Sequence, residues 1–233
     1  GAQDLTITTT LDAALTTINA AAATGKMNIT QDAAANITFT GGSGNDTIDL
    51  GADNFDTNDT VNGGDGTDTL SIEEDDAIAV TTAGAALTKV SSIETVNLVD
   101  QLAGNVNLML FGASASVAAS TLELSAGIDG TDRTLTVASG NTIDLEGEAG
   151  DDITILGAGT GTSDAVTLIL DDADVAANVQ ATTVETLNIT STGTADGGAN
   201  TITGTTAINS LAGSQSIVIT GAEALTFTGA VTA

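Results

Sequence analysis

The chain has 233 residues, with 3 Lys or Arg against 31 Asp or Glu, a formal net charge of −28, and no His, Cys or Pro. That balance argues against nucleic acid as a partner, because no basic surface is present to neutralise phosphates. It also removes the common catalytic triads, zinc sites and thiol chemistry, all of which need His or Cys.

Hydrophobic residues make up 41% of the chain, yet Phe occurs four times and Trp and Tyr not at all. The interior must be filled by Ala, Val, Ile and Leu, and thin layers of such side chains suit a stacked solenoid better than a thick sandwich. Val, Ile and Thr favour strands. Lys26, Lys89 and Arg133 are the only cations, so internal ion pairs cannot offset the carboxylates. Two carboxylates ~6 Å apart repel by roughly 3 kcal/mol at an effective dielectric of ~20. Clustered aspartates therefore call for metal ions, high salt or wide spacing. A chain this rich in Gly but without Pro does not read as a disordered linker. No run of about 18 strongly apolar residues is present, so no direct membrane insertion is expected. No basic segment of the kind that opens a signal peptide is visible. The first residue is Gly1 rather than Met, which fits a processed chain or a fragment.

In chain order, residues 1–40 open with "DLTIT", which reads as a strand. Leu11, Leu15, Ile18 and Ala22 then recur at helical spacing, with Asp12 in the first turn and Gly25 at the C-cap position. This predicts one helix over 11–23. "KMNIT" and "NITFT" follow as strands. The segment reads either as a cap on a solenoid end or as an assembly segment that packs on a neighbour. From residue 41 the chain consists of short strands ("TIDL", "TLSI", "ETVNL", "TLEL", "TLTV", "ITIL", "VTLIL", "ETLNI", "IVIT", "LTF") separated by Gly, Asp, Asn and Ser turns. Strand starts about ten residues apart argue for an all-β fold, a β-solenoid or a sandwich. "TTAGAALTKV" and "DDADVAANV" each fit one helical turn or a wide loop. The domains expected are 1–40, a roll over 41–100, and a degenerate solenoid or sandwich over 101–233.

"GGSGNDTID" at 41–49 and "GGDGTDTLS" at 63–71 fit the nonapeptide G-G-x-G-x-D-x-U-x at every fixed position. Gly41, Gly42 and Gly44 let the backbone turn left-handed and point carbonyl oxygens inward. Asp46 adds a carboxylate, and Ile48 points to the core. Gly63, Gly64, Gly66, Asp68 and Leu70 repeat the scheme, with Asp65 in the same turn. Ca²⁺ takes six to eight oxygens at roughly 2.3–2.6 Å, so two stacked turns would share an ion, with Asp46 and Asp68 as the leading pair. Gly41 and Gly63 are 22 positions apart. These two nonapeptides resemble the RTX repeat family, in whose β-roll turns alternate between two edges; the resemblance implies that the intervening "GADNFDTNDTVN" is a lengthened turn at the opposite edge, with Asp53, Asp56 and Asp59 as a second oxygen-rich loop and "TVN" as its strand. Weaker echoes carry Asp129 and Asp132 ("GIDGTDRTLTV"), Asp152 ("GEAGDDITI") and Asp164 ("GTGTSDAVTL").

On residues 41–71 the chain resembles the RTX repeat family, whose members are secreted and bind Ca²⁺ in a β-roll. A second element, "VSSIETVNLVD", "QATTVETLNIT" and "ITGAEALTFTG", places Glu94, Glu185 and Glu223 before alternating strands. It is similar to the I-E-T-L-N-L element of bacterial surface-layer proteins of the alphaproteobacterial type, which are exported by a type I route. The resemblance implies an extracellular, cell-surface protein. It would fold on calcium and assemble with copies of itself into a layer or filament, with a cell-surface polysaccharide as a further partner. Such modules bind Ca²⁺ at roughly 10⁻⁴–10⁻³ M. The alternative is a calcium-stabilised binding module of an adhesin, matrix or ice-binding protein. Thr-x-Thr pairs such as Thr38/Thr40 and Thr134/Thr136 share one strand face and read first as a solvated face. Paired carboxylates such as Asp75/Asp76 lack the aromatic platforms usual at sugar sites, so no enzyme is expected.

Overall fold

The computed structural model describes the chain apart from residues 1, 2, 8–10, 13, 32–35, 52, 53, 113–118, 160, 194–198 and 210–212. The described residues form two compact units, one of residues 1–99 with 108–119 and one of residues 100–107 with 120–233. Each is an all-β parallel solenoid.

The first unit contains β1 (Leu5–Ile7), β2 (Thr17–Asn19), β3 (Met27–Thr30), β4 (Thr38–Thr40), β5 (Thr47–Asp49), β6 (Thr60–Asn62), β7 (Thr69–Ile72), helix α1 (Glu74–Ala83), β8 (Val90–Ser91), β9 (Thr95–Leu98) and a 3₁₀ turn, Leu108–Leu110. Odd strands stack in the order β1-β3-β5-β7-β9 and even ones in the order β2-β4-β6-β8. Each coil therefore has two sides. Every pairing is parallel and in register, so chemically alike residues stack. Ile29, Ile48, Leu70 and Val96 form one inner column, and Ile18, Phe39, Val61 and Val90 the facing one. Alternation along the strands puts these residues inward and most of the Thr and Asn outward. Each fully buried Ile or Leu stabilises the stack by about 1.5–3 kcal/mol.

The second unit contains β10 (Val106–Asn107), β11 (Thr121–Leu124), β12 (Arg133–Val137), β13 (Thr142–Leu145), β14 (Ile153–Gly157), β15 (Ala165–Asp171), β16 (Asp174–Val175), β17 (Val179–Thr182), β18 (Thr186–Thr192), β19 (Asn200–Ile202), β20 (Thr206–Asn209), β21 (Ser216–Gly221), β22 (Leu225–Phe227) and β23 (Val231–Thr232). Its sheets run β11-β13-β15-β18-β21 and β10-β12-β14-β17-β20-β23, and a third side, single parallel bridges from Leu102 through Ile128 and Ala149 to Val175, widens into the sheet β16-β19-β22. The extra corner is pinned by Asn200. Its Nδ2 donates to Leu170 O, Ser191 Oγ and Thr192 O, and its Oδ1 accepts the Ala173 N–H. These groups come from the ends of β15 and β18 and from Ala173 in the turn after β15, so Asn200 satisfies the buried backbone at the corner.

The helix predicted over 11–23 is corrected. Thr17–Asn19 is strand β2, paired with β4, and Asp12 closes a turn by accepting the N–H groups of Ala14 and Leu15. The helical spacing is real, but a lone helix would leave β4 without its rung, and stacking overrides it. Among the described residues the one α-helix is α1. Glu74, Asp75 and Asp76 lie in its first turn, where the helix dipole favours them. Gly84, at φ 65, ends it by donating to Val80 O and Thr81 O. "TTAGAALTKV" holds the end of α1 and the loop to β8, while "DDADVAANV" holds β16. Residues 1–40 supply β1–β4 as coils of the same unit as β5–β9. Among the described residues no helix is long and apolar enough to cross a membrane.

Candidate functional site

The two glycine turns stack one coil apart at one edge of the first unit, because Thr47 and Thr69, which follow them, are paired in register. The aspartate ending each turn points inward: Asp46 and Asp68 are each 1% exposed. A buried carboxylate needs donors. Asp46 has two, the Met27 N–H on Oδ1 and the Gly42 N–H on Oδ2, both at 2.8 Å. Asp68 Oδ1 accepts the Asp46 N–H at 2.7 Å. One coil further, Glu94 Oε2 accepts the Asp68 N–H at 2.8 Å. Each acid in the column thus caps an amide of the coil before it.

Asp68 differs at its second oxygen. The Gly64 N–H, which corresponds to that of Gly42, donates to Asn62 Oδ1 at 3.1 Å. Asp68 Oδ2 is left buried with no hydrogen-bond partner. Burial, and then the charges of Asp46, Glu94 and Asp65, push the Asp68 carboxyl up to about 6 against the opposing Asp46 N–H.

The glycines serve stacking more than backbone freedom. A Cβ on Gly41 or Gly63 would come closer than 3.0 Å both to Oδ2 of the aspartate five residues later and to a carbonyl of the next coil, Gly63 O or Ser92 O. Gly42 and Gly44 lie in the same way against Ala23 O and Gly25 O, Gly64 against Gly42 O, and Gly66 against Gly44 O. The expected left-handed backbone is found in the second turn alone, at Gly64 (φ 104) and Gly66 (φ 130). Asp65 is exposed, and its N–H donates to Gly42 O.

At the opposite edge Asp59 repeats the arrangement of Asp46. Its Oδ1 accepts the Ile37 N–H at 2.8 Å and its Oδ2 the Asp56 N–H at 2.7 Å. Burial raises its pKa. Asp56 in turn accepts from the Asn58 amide groups. Asp53 lies outside the described residues.

In the second unit, Arg133 holds both oxygens of Asp129, at 2.7 and 2.8 Å. The Thr131 hydroxyl, and then Arg133, lower that carboxyl's pKa. Asp132 and Asp152 are brought together with Asp151, their ligand oxygens within 4.8 Å of one another, although Asp152 also accepts the Asn178 N–H and Nδ2 at 2.8 Å. Asp164 Oδ2 accepts the Gly161 N–H at 3.1 Å, and a Cβ on Gly159, five residues earlier, would collide with the same carboxylate.

Sequence reasoning missed a second acidic grouping. Glu123 and Asp144 are register partners on the outer face of β11 and β13. Asp144 Oδ1 is buried without a partner, and burial, then Glu146, Asp171 and Glu123, push this carboxyl up to about 6. The alternation in "TLEL" and "TIDL" puts both acids outward, but only the stacking register reveals that they adjoin.

Among the turn aspartates of the first unit the donor set sorts the candidates. Asp46 and Asp59 spend both oxygens on amides and act as backbone caps. Among the described turn aspartates, Asp68 alone combines deep burial, an unpartnered oxygen and acidic neighbours, which is the chemistry that fits an oxygen-seeking cation. No family profile matches the chain, and neither a curated protein nor a solved structure is found to resemble it.

Proposed function

We propose that this chain is a secreted structural protein, stabilised by Ca²⁺ at the glycine-turn edge and built to assemble with copies of itself at a cell surface. The observation that carries the cation half is Asp68 Oδ2, buried, unpartnered and surrounded by Asp46, Glu94 and Asp65. A bound cation would neutralise that charge, with Asp68 as its anionic ligand and oxygens of the stacked turns completing the set. The two complete nonapeptides support the RTX-type reading, and the I-E-T element supports the surface-layer one. In this reading, export at low calcium keeps the acidic turns apart, and a millimolar calcium environment draws them together.

The assembly half is supported by strand β21. It pairs with β18 on one side. Val218 is 41% and Ile219 50% exposed on it. An exposed apolar edge strand is a template for pairing with another chain. Electron microscopy of the purified protein in Ca²⁺ and in chelator tests the whole reading. Calcium-dependent sheets or filaments are expected, and identical monomers in both conditions would overturn it.

A further inference from the structure

Two corners, one in each unit, are built alike. In the first, Ser92 has φ 50, Ile93 is buried, Glu94 follows and β9 starts at Thr95. In the second, Thr183 has φ 59, Val184 is buried, Glu185 follows and β18 starts at Thr186. A residue other than glycine in the left-handed region is uncommon, and for β-branched threonine it is strained. Its appearance twice at the same position marks a shared construction.

The hydrogen bonds match as well. The N–H groups of Glu94 and Thr95 both donate to Asp68 O, at 3.1 and 3.0 Å. Those of Glu185 and Thr186 both donate to Asp164 O, at 2.9 and 3.0 Å. In return the Asp68 N–H donates to Glu94 Oε2 at 2.8 Å, and the Asp164 N–H to Glu185 Oε2 at 2.9 Å. Both corners sit on a coil whose turn ends in aspartate, with a glycine five residues earlier whose missing Cβ leaves room for the carboxylate. The peptide groups on both sides of the aspartate are thereby gripped by the next coil, which fixes the direction of its side chain.

We propose that Glu94 and Glu185 are positioning residues that seat Asp68 and Asp164 by accepting their amide N–H, and that neither glutamate is itself a cation ligand. The seating stands on the hydrogen bonds. Its effect on cation binding rests on the function proposed above. Groups that orient a ligand from behind set metal affinity without touching the ion.

The test compares Glu94→Gln and Glu94→Ala, with Glu185→Gln and Glu185→Ala in parallel, in the full chain. Melting in chelator and the midpoint of a Ca²⁺ titration followed by circular dichroism are read for each. Gln retains an acceptor oxygen without the charge. Gln is expected to keep the wild-type melting temperature and a midpoint within about twofold; Glu94→Ala lowers melting and raises the midpoint about 10–100-fold, and Glu185→Ala lowers melting. A Gln variant that loses as much as the Ala variant would show that charge or direct ligation matters, and would overturn the proposal. So would an Ala variant unchanged in both readouts. If the Ala variants do not fold, the Gln variants decide alone. If the wild type shows no response to Ca²⁺, the cation reading falls, and the seating claim is decided by melting in chelator.

Discussion

Asp46 donates its backbone N–H to the Oδ1 of Asp68 across one coil, at 2.7 Å. The two acids are therefore joined amide to carboxylate, not carboxylate to carboxylate, although their side chains belong to the same column. The amide acts as a spacer with a favourable sign, and it divides the labour. Asp46 completes its bonding within the protein, and Asp68 does not.

This division predicts opposite behaviour for two similar substitutions. Asp46→Ala strands the buried N–H groups of Met27 and Gly42 and should cost about 2–4 kcal/mol whether or not Ca²⁺ is present. Asp68→Asn keeps an acceptor for the Asp46 N–H and removes a buried charge. It should leave stability in chelator unchanged or higher, while abolishing any gain from Ca²⁺. Urea unfolding in chelator and in millimolar Ca²⁺ checks both.

The glycine five residues before Asp68, and the one five before Asp164, should be irreplaceable. Gly63→Ala and Gly159→Ala push a methyl into the Asp68 or Asp164 carboxylate, and overpacking of this kind costs about 1–3 kcal/mol or more. Gly130→Ala, where a Cβ meets nothing within 4 Å, should be close to neutral. Thermal melts of the three variants side by side give the ranking.

Stability should also fall as pH rises through the weakly acidic range. Folding raises the pKa of Asp144, from 3.8 to about 6, and of Glu123 above 4.5. The folded state therefore holds these protons more tightly than the unfolded chain. Their contribution is fully present below pH ~4 and is lost as pH rises through ~6. Asp144→Asn should flatten this part of the profile, measured as the urea midpoint against pH in chelator.

Assembly through β21 makes a separate demand. Val218→Lys places a charge on the outward face of the exposed edge strand and should suppress association without lowering the melting temperature of the dilute protein. Light scattering in Ca²⁺ reads the first effect and circular dichroism the second. Undiminished association of this variant would remove β21 from the assembly reading.

Much of the fold is legible in the residues. "TIDL", "TLSI" and "ETVNL" alternate cleanly, and β5, β7 and β9 lie where that alternation puts them. The turn aspartates and their glycines are legible too, because the nonapeptide fixes both. The short N-terminal strands are harder to read. Leu11, Leu15 and Ile18 carry a helical period, and only the register of Ile18 with Phe39 makes that segment a rung. Helix α1 was hidden for the converse reason: its acidic first turn and Gly84 are helix signals, but its alanines and threonines show no apolar stripe. What each carboxylate does was not legible either, because the donor that satisfies Asp46 or Asp59 is a backbone amide from another coil, and amides leave no mark on the sequence.

Helix α1 adds ten residues between β7 and β8, yet the rungs on either side stay aligned from Thr69 opposite Thr95 to Ile72 opposite Leu98. The excursion leaves the ladder's phase intact, since each rung answers only to the rungs above and below it. That makes this bend a natural graft point. A peptide epitope or small cargo spliced in place of the helix tip would ride outside the ladder, and in any ordered array it would be displayed once per subunit at a fixed repeat.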